Sequence, residues 1–317
     1  MKLAPEIKEI FKDTGSTTLI LLKILIPVSI IVKILSELGA IEIISEAFTP
    51  VMGVVGLPGE FALVWATAML TNIYGALIVL FTLSLQNTYT VAQVTILGVM
   101  LLIAHALPIE ARIAQKAGIK LWFTLSFRIL CAILFGLILS FIFNSFNLFQ
   151  NESYMIWKSG VIDPTLVEWV LDQIKNYLII FLIILGLVTL MRILKKTGAL
   201  DNLNKFLEPG LKKLGMSKNV APISIIGLTL GLAYGGGLII KETKSKLLTK
   251  KDVFFSVSML GLSHSLIEDT ILILSIGATL FGIMLGRVLF TLLIMFILVR
   301  IINRIPKKTF EKYFMNN

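Results

Sequence analysis

Long runs of apolar residues alternate along this chain with short polar segments. Eight runs stand out, at residues 17–36, 60–85, 91–109, 121–146, 177–194, 220–240, 252–275 and 278–302. Most contain about 20 residues, and a helix of that length crosses the ~30 Å hydrocarbon core of a bilayer. The spacing therefore predicts an all-α polytopic membrane protein, with the lipid bilayer as its surroundings.

Composition and charge agree with a membrane location. Apolar residues make up 56% of the 317 residues and charged residues 15%, with a mean hydropathy of +0.91. A soluble domain carries about 25% charged residues, so soluble, disordered, collagen-like and disulfide-rich classes are excluded. The net charge of +10 is concentrated in short loops and at the C-terminus, where it sets orientation in the membrane. No basic stripe with exposed aromatics is present, and we expect no nucleic acid partner.

The two halves of the chain are related by an internal repeat with an offset of 159 residues. The only two histidines are equivalent at this offset. Identical residues at equivalent positions are Gly39-Ala40 and Gly198-Ala199, Pro50 and Pro209, Gly56 and Gly215, His105 and His264, Leu107 and Leu266, Gly118 and Gly277, and Arg128 and Arg287. Matches at Gly, Pro, His and Arg indicate a duplication, because apolar helices align by chance mainly through Leu and Ile.

Loop charge predicts that the two repeats have opposite orientations in the membrane. The loop after the first run is acidic, with Glu37, Glu42, Glu46 and Glu60, whereas its counterpart at 195–218 contains six lysines. By the positive-inside rule, the first loop lies outside and the second lies in the cytoplasm. Two inverted repeats in one chain each need an odd number of crossings. Since each half contains four apolar runs, one run in each half must enter and leave the membrane on the same side.

The runs at 60–85 and 220–240 are the ones predicted to form re-entrant helical hairpins. Run 220–240 has lysine-rich loops on both sides and contains GLAYGGG at 231–237, and run 60–85 contains TNIYG at 71–75. Irregular backbone is tolerated at membrane depth only where protein or a water-filled cavity covers it. This topology has six crossings in the cell membrane and both termini in the cytoplasm. The alternative is eight plain crossings, with the glycines used for close helix packing.

The predicted organisation is two inverted repeats joined by an interfacial linker. Each repeat contains three crossing helices, one of them broken, and one hairpin. The predicted boundaries are 1–146 for the first repeat (hairpin 60–85, broken helix 91–110), 147–176 for a linker with an amphipathic helix, and 177–317 for the second repeat (hairpin 220–240, broken helix 252–275).

Two polar motifs at equivalent positions are the candidate binding site. They are AHALPIEA at 104–111 and LSHSLIEDT at 262–270, and each places a histidine four or five residues before an acid. Ionisable groups at the bilayer centre cost at least ~2.5–3.5 kcal/mol, so each needs a reason. Transporters bind solutes where broken helices meet near the midplane. The candidate substrate-binding residues are His105, Glu110, Ser263, His264, Ser265, Glu268 and Asp269, with Thr71, Asn72, Tyr74, Tyr234, Gly235, Gly236 and Gly237 at the hairpin tips.

Other interpretations of the polar residues stay open. Each histidine is alternatively a neutral imidazole bonded between helices. A metal site would use His105, His264, Glu110 and Glu268, because imidazole with carboxylate suits several divalent ions, although H-E-x-x-H and CxxC patterns are missing. Arg128 and Arg287 are predicted to extend their guanidinium groups to the lipid headgroups, with pairing to an intramembrane acid as the alternative.

No motif of an enzyme occurs in the sequence. A P-loop, a G-x-S-x-G sequence and a Rossmann fingerprint are all missing. We therefore expect neither catalysis nor a cofactor. Energy coupling is expected from an ion gradient, with H⁺ or Na⁺ as the coupling ion, or from a partner protein, and a homo-oligomer stays open.

The repeated pattern resembles the Gate, or nucleoside-recognition, superfamily over nearly the whole chain. The residues that carry the resemblance are Gly39-Ala40, Pro50, Gly56 and TNIYGA at 71–76, and then Gly198-Ala199, Pro209, Gly215, LAYGGG at 232–237 and SHSLIED at 263–269. This superfamily includes the core of concentrative nucleoside transporters, the membrane part of ferrous-iron permeases and the spore maturation membrane proteins. The resemblance implies a substrate-binding core of hairpins and broken helices, with His105, Glu110, His264 and Glu268 in the substrate-contacting stretches.

The sequence departs from two members of that superfamily. It lacks the amide- and acid-rich motif of nucleoside carriers in the first broken helix, and it lacks the GTPase domain of iron permeases. The expected function is secondary transport of a small polar or charged solute, nucleoside-like or not, by alternating access. The alternatives are a divalent metal permease that uses the His/carboxylate cluster, and a non-transporting membrane scaffold with a partner protein.

Overall fold

A computed structural model describes residues 3–84, 87–155, 165–199, 202 and 248–316. These residues are almost entirely helical and contain no strand, as predicted for an all-α protein. The helices are α1 (Leu3–Glu37), α2 (Ala40–Gly53), α3 (Phe61–Leu70), α4 (Ile73–Leu83), α5 (Val91–Ile103), α6 (Leu107–Lys116), α7 (Leu121–Ser145), α8 (Leu166–Lys196), α9 (Lys250–Ser263), α10 (Glu268–Leu274), a π-helical turn (Phe281–Gly286), α11 (Arg287–Arg304) and α12 (Lys307–Phe314).

Six stretches of the described chain are long and apolar enough to cross a bilayer. They are Ile7–Glu37, Val91–Lys116, Leu121–Ser145, Leu166–Leu194, Lys250–Leu274 and Phe281–Arg304. In the stretches that contain α5 and α9, 78% and 67% of the residues in the 18-residue apolar segment are buried inside the protein. The corresponding shares are 22% for α1 and 17% for α8. The protein is therefore a polytopic all-α membrane protein whose broken helices lie at its centre.

Run 60–85 forms two short helices that pack against each other. Helix α3 has 10 residues and α4 has 11, with a break at Thr71-Asn72. Asn72 is extended, and its side chain accepts a hydrogen bond from Gly75 N at 2.9 Å. At 1.5 Å per residue, each helix is roughly half as long as the hydrocarbon core is thick. This run is not the single crossing helix of the eight-crossing alternative; the second hairpin, at 220–240, lies outside the described residues.

The central helices α5 and α9 begin with the same local structure. In both, a threonine at the N-cap and the residue three positions later form a reciprocal capping box, Thr90 with Gln93 and Thr249 with Asp252. Each box gives hydrogen-bond partners to backbone N–H groups that the first turn of a helix leaves unpaired. The four residues are equivalent at the repeat offset, so the duplication extends to helix capping.

The equivalent helices α1 and α8 pack against each other and run antiparallel. Near the C-terminal end of α1, the Ser29 hydroxyl lies 2.6 Å from the Tyr177 hydroxyl, which is near the start of α8. At the other end, Arg192 of α8 donates hydrogen bonds to Glu9 at 2.9 Å and to Asp13 at 2.6 Å. These contacts at two levels fix the relative direction of the two helices.

The predicted boundary between linker and second repeat, at residue 176, falls inside a helix. Helix α8 starts at Leu166, after a cap in which Thr165 N and Oγ1 donate to Glu168 Oε2 at 2.9 and 2.8 Å. It continues without interruption to Lys196, and no helix-breaking proline occurs within it. The amphipathic segment assigned to the linker is therefore the first part of this crossing helix.

The C-terminal helix α12 closes the end of the molecule at which α7 and α9 begin. Lys120 N donates to Phe314 O at 2.9 Å, and the Phe314 ring contacts the rings of Phe123 and Phe254. Lys250 Nζ donates to Glu311 Oε2 at 2.9 Å. This hydrogen bond lowers the pKa of the Glu311 carboxyl below its ordinary value.

Candidate functional site

Both broken helices are interrupted at equivalent residues. Ala106 has φ +47° and Ser265 has φ +48°, which is the left-handed region that residues other than glycine rarely adopt. Such backbone strain costs of the order of 1–3 kcal/mol and is concentrated at functional sites. Pro108 follows in the first turn of α6, where its missing N–H removes no helical hydrogen bond. The backbone at the first break is also held by the hairpin, since Ala106 N donates to Ala68 O at 2.9 Å.

The two histidines meet at the centre of the protein. In both rings, Nδ1 lies 2.8 Å from the carbonyl oxygen four residues earlier, that of Leu101 for His105 and that of Leu260 for His264. A carbonyl only accepts hydrogen bonds, so the Nδ1–H donates in both cases. The two Nε2 atoms are 3.3 Å apart, and both residues are buried. The two candidate site histidines are therefore in contact with each other.

Glu110 connects the histidine pair to a buried arginine. Its Oε1 lies 3.1 Å from His264 Nε2 and 3.7 Å from His105 Nε2, while its Oε2 accepts a hydrogen bond from Arg128 Nη1. Asp269 lies on the other side, with Oδ2 4.0 Å from His105 Nε2. The carboxylates of both repeats thus face the same imidazole pair.

Arg128 binds the backbone at the first helix break. Its side chain is 1% exposed, and it donates to Ile103 O at 2.7 Å and to His105 O at 3.2 Å, in addition to Glu110. A helix end leaves carbonyl groups without intrahelical donors, and the guanidinium supplies them. The prediction that this residue extends to the headgroups is wrong, and the alternative of pairing with an intramembrane acid is confirmed.

Arg287 likewise binds the backbone carbonyl groups at the second helix break. It is fully buried and donates to Leu262 O at 2.9 Å and to His264 O at 2.8 Å. A further hydrogen bond, to Leu102 O at 3.3 Å, crosses into the first repeat. The headgroup prediction is therefore wrong for this residue too, because the free carbonyls of the broken helices are its partners.

The two repeats differ in one contact. Asp269 is equivalent to Glu110 at the repeat offset, and Arg287 is equivalent to Arg128. Glu110 and Arg128 form an ion pair, whereas Asp269 Oδ2 and Arg287 Nη1 are buried without a hydrogen-bond partner in the described part of the chain. Aspartate is one methylene shorter than glutamate. The site therefore contains one closed carboxylate–guanidinium pair and one open pair.

The remaining predicted site residues have more local roles or lie outside the described chain. Thr71 Oγ1 donates to Thr67 O at 2.6 Å within the first hairpin. Tyr74, just after the hairpin break, lies close enough to the carboxylates of the half-buried Glu268 and of Asp269 to interact with them electrostatically. Ser263 is buried, and its hydroxyl has no hydrogen-bond partner among the described residues. Ser265 occupies the left-handed position, Asn72 caps α4, and Tyr234, Gly235, Gly236 and Gly237 lie outside the described residues.

The binding of both arginines to the backbone carbonyls at the helix breaks is the part of the site that sequence reasoning missed. The repeat offset contained the necessary signal, because it aligns Glu110 with Asp269 and Arg128 with Arg287. A carboxylate and a guanidinium that recur together in apolar helices indicate a shared site more strongly than either does alone.

Comparison with known proteins agrees with the duplicated architecture. The model of a family described as "Gate: Nucleoside recognition" matches residues 18–120 and 177–280, two stretches that together cover more than half of the chain. A curated relative, described as the uncharacterized membrane protein YvoD of Bacillus subtilis (strain 168), is 30% identical over 275 residues, which are 86% of this chain and 87% of the relative. No solved structure matches the chain. The chain belongs to the Gate, or nucleoside-recognition, family of membrane proteins.

Proposed function

We propose that this protein is a secondary transporter of a small polar or charged solute. The observation that carries the proposal is the buried cluster of His105, His264, Glu110 and Asp269, built where the broken helices of the two repeats meet. Charged groups inside a membrane protein are costly, and replacing a buried ion pair with apolar residues is often neutral or stabilising. A solute-binding role explains why such groups are placed at the centre of the molecule.

Alternating access would follow from inverted repeats that move relative to each other. Two features support the inversion. Helices α1 and α8 are equivalent and antiparallel, and the histidines contact each other through the same atom, as residues beside a two-fold axis do. In transporters with this architecture, one repeat moves against the other around a fixed site. A gradient of H⁺ or Na⁺ across the membrane would supply the energy for transport.

A divalent metal permease is the second candidate. One atom from each of His105, His264 and Asp269 could act as a metal ligand, and these atoms lie within 4.8 Å of one another. Imidazole with carboxylate is a donor set that several divalent metals accept. A non-transporting scaffold would need no such donor set.

Uptake by reconstituted protein tests the proposal. Liposomes containing the purified protein are offered nucleosides, nucleobases, small anions and divalent cations, and at least one class should accumulate. His105→Ala and His264→Ala should each weaken apparent affinity by roughly five- to 150-fold, because an unpaired buried partner costs ~1–3 kcal/mol.

The exposed Glu42 of α2 gives a matched control, since Glu42→Gln removes a surface charge that belongs to neither broken helix and should leave uptake unchanged. If all classes fail to accumulate although a thermal-shift assay shows folded protein, the transporter proposal is wrong. Equal uptake per folded molecule in the histidine variants would instead restrict those residues to a structural role.

The orientation of the first repeat is tested by cysteine labelling. In a Cys131→Ser background, a cysteine at the exposed position Glu46 should react with an impermeant maleimide from outside the cell. Cysteines at Lys116 and Lys308, which are also exposed, should react only after permeabilisation. Labelling of Glu46 and Lys116 from the same side would contradict the proposed topology. The hairpin returns to the side it entered from, so the single crossing formed by α5 and α6 separates Glu46 from Lys116.

A further inference from the structure

The geometry of the histidine pair leaves two lone pairs facing each other. Each Nδ1 carries a hydrogen, since it donates to a carbonyl oxygen. In a neutral imidazole the other nitrogen, Nε2, is then an acceptor. The Nε2 atoms of His105 and His264 are nevertheless 3.3 Å apart. Two acceptors at this distance repel each other unless a cation lies between them.

Carboxylate oxygens add to the acceptors at the same point. Glu110 Oε1 lies 3.1 Å from His264 Nε2, and it is Oε2, not Oε1, that accepts from Arg128. Asp269 Oδ2 lies 4.0 Å from His105 Nε2 and has no hydrogen-bond donor among the described residues. Four acceptor atoms therefore converge without a donor between them.

We propose that these four atoms bind one divalent transition-metal cation, with Zn²⁺ as the type of ion that fits best. A tetrahedral zinc site has metal–ligand distances of ~2.0–2.2 Å, which places neighbouring ligand atoms about 3.3–3.6 Å apart. The two Nε2 atoms are 3.3 Å apart, and Glu110 Oε1 lies 3.1 Å from His264 Nε2 and 3.7 Å from His105 Nε2, all within about 0.2 Å of that spacing. The oxygen of Asp269, at 4.0 Å, needs a small side-chain movement to complete the set.

The surroundings of the histidines are those of metal ligands. A histidine that binds a metal almost always donates its other N–H to a carbonyl or carboxylate, which fixes the ring and its tautomer. Leu101 O and Leu260 O serve as those acceptors at 2.8 Å. Arg128 in turn orients the Glu110 carboxylate. Mg²⁺ and Ca²⁺ are disfavoured because they prefer sites made only of oxygen ligands.

A proton shared by the two rings is the competing occupant. Hydrogen bonds from N–H groups have donor–acceptor distances of about 2.9–3.0 Å at their most frequent. The observed 3.3 Å lies at the long end of such distances, and a single proton between the rings would leave Glu110 Oε1 and Asp269 Oδ2 without a donor. The metal is therefore the favoured occupant, and proton binding alone is an outcome that contradicts the proposal.

This inference deepens the proposed function by naming a divalent cation as the class of solute, and that role rests on the proposed function. Binding itself is measured on detergent-solubilised protein without any transport step. Metal binding without uptake would contradict transport but leave the site in place. Uptake of an organic solute without metal binding would support transport but contradict the metal site.

The experiment uses the full chain, purified without a polyhistidine tag and stripped with a chelator. Equilibrium dialysis against Co²⁺ and Zn²⁺ at pH 7.5 should give one metal ion per chain. Bound Co²⁺ should show the intense visible absorption of a tetrahedral site, and Zn²⁺ should displace it, in agreement with their order of affinity. Millimolar Mg²⁺ should not displace it. Affinity should fall on acidification to pH 5.5, because only the neutral imidazole binds a metal.

Variants assign the ligands. His105→Ala and His264→Ala should each weaken binding by more than about 100-fold, since even outer-shell partners contribute about 10- to 100-fold. His105→Gln and His264→Gln repeat the test with side chains that fill more of the space, in case an alanine variant does not fold. Asp269→Asn changes one atom and should weaken binding at least about tenfold, whereas Glu42→Gln is the matched carboxylate control and should bind normally.

The results separate support from refutation. One Co²⁺ per chain that is lost in both histidine variants, while Glu42→Gln binds normally, supports the site. The proposal is overturned if the unmodified protein binds no metal stoichiometrically, including the case in which it takes up only protons. Metal binding that survives in both histidine variants overturns it as well.

Discussion

Replacing Arg287 by methionine should destabilise the protein by about 3 kcal/mol or more. Three buried carbonyl groups would lose their hydrogen-bond donor, and each carbonyl left unsatisfied costs ~1–3 kcal/mol. Removal of the buried charge offsets part of this loss, since no acid pairs with its Nη1 among the described residues. The effect should extend to both repeats, because the hydrogen bond to Leu102 O crosses between them. Thermal and denaturant unfolding in detergent measure the change.

Arg300 provides the matched control on the same helix, α11. It is exposed, and its guanidinium lies 4.0 Å from the centre of the Phe296 ring. An exposed contact of this kind is worth roughly 0.5–1 kcal/mol, so Arg300→Met should cost less than about 1 kcal/mol. Arg287→Lys should fall between the two methionine variants, because an ammonium cannot reproduce the spread of donors on a guanidinium. Equal stability of Arg287→Met and Arg300→Met would show that the carbonyls do not depend on Arg287.

The Glu110–Arg128 ion pair should give the second large effect. Both side chains are buried, with 11% and 1% exposed. Removing one partner leaves an uncompensated charge, which costs about 3–5 kcal/mol, so Glu110→Gln and Arg128→Met should each approach that range. The double variant should cost clearly less than the sum of the two, and the difference is the coupling energy measured by a double-mutant cycle.

Lys33 and Glu37 form the control pair for this cycle. Their N–O distance is 3.2 Å, but the Glu37 side chain is 64% exposed. Exposed pairs contribute about 0.2–1 kcal/mol, so the coupling energy should be several-fold smaller than for Glu110 and Arg128. Additive effects at Glu110 and Arg128 would show that the two residues stabilise the protein independently, each through its own backbone contacts.

Much of the fold was predictable because its signals are local. Residue types that continue or interrupt a helix are visible in the sequence. They indicate the long apolar helices, the break at Thr71-Asn72 and the breaks near His105 and His264. The continuity of α8 across residue 176 was not predictable in the same way. The chain changes there from amphipathic to apolar, although no helix-breaking residue accompanies the change.

The roles of the arginines were not predictable from local pattern. A lone arginine in an apolar helix extends to the headgroups when they are the nearest partners. Arg128 and Arg287 instead bind carbonyl groups exposed by breaks in other helices, and those breaks come within reach only after the helices pack. The histidine contact was predictable as a juxtaposition, since the repeat relates His105 to His264. Which ring nitrogens face each other depends on the carbonyl groups behind them.

The closed ion pair also bears on how the protein is inserted into the membrane. Glu110 and Arg128 both belong to the first repeat and are only 18 residues apart. During synthesis they are able to neutralise each other before any of the second repeat has left the ribosome. The open pair has no such local partner in the described chain, and Arg287 reaches across to Leu102 O. The first repeat can therefore enter the bilayer with this buried pair already neutralised, and it presents the backbone acceptor to which Arg287 donates.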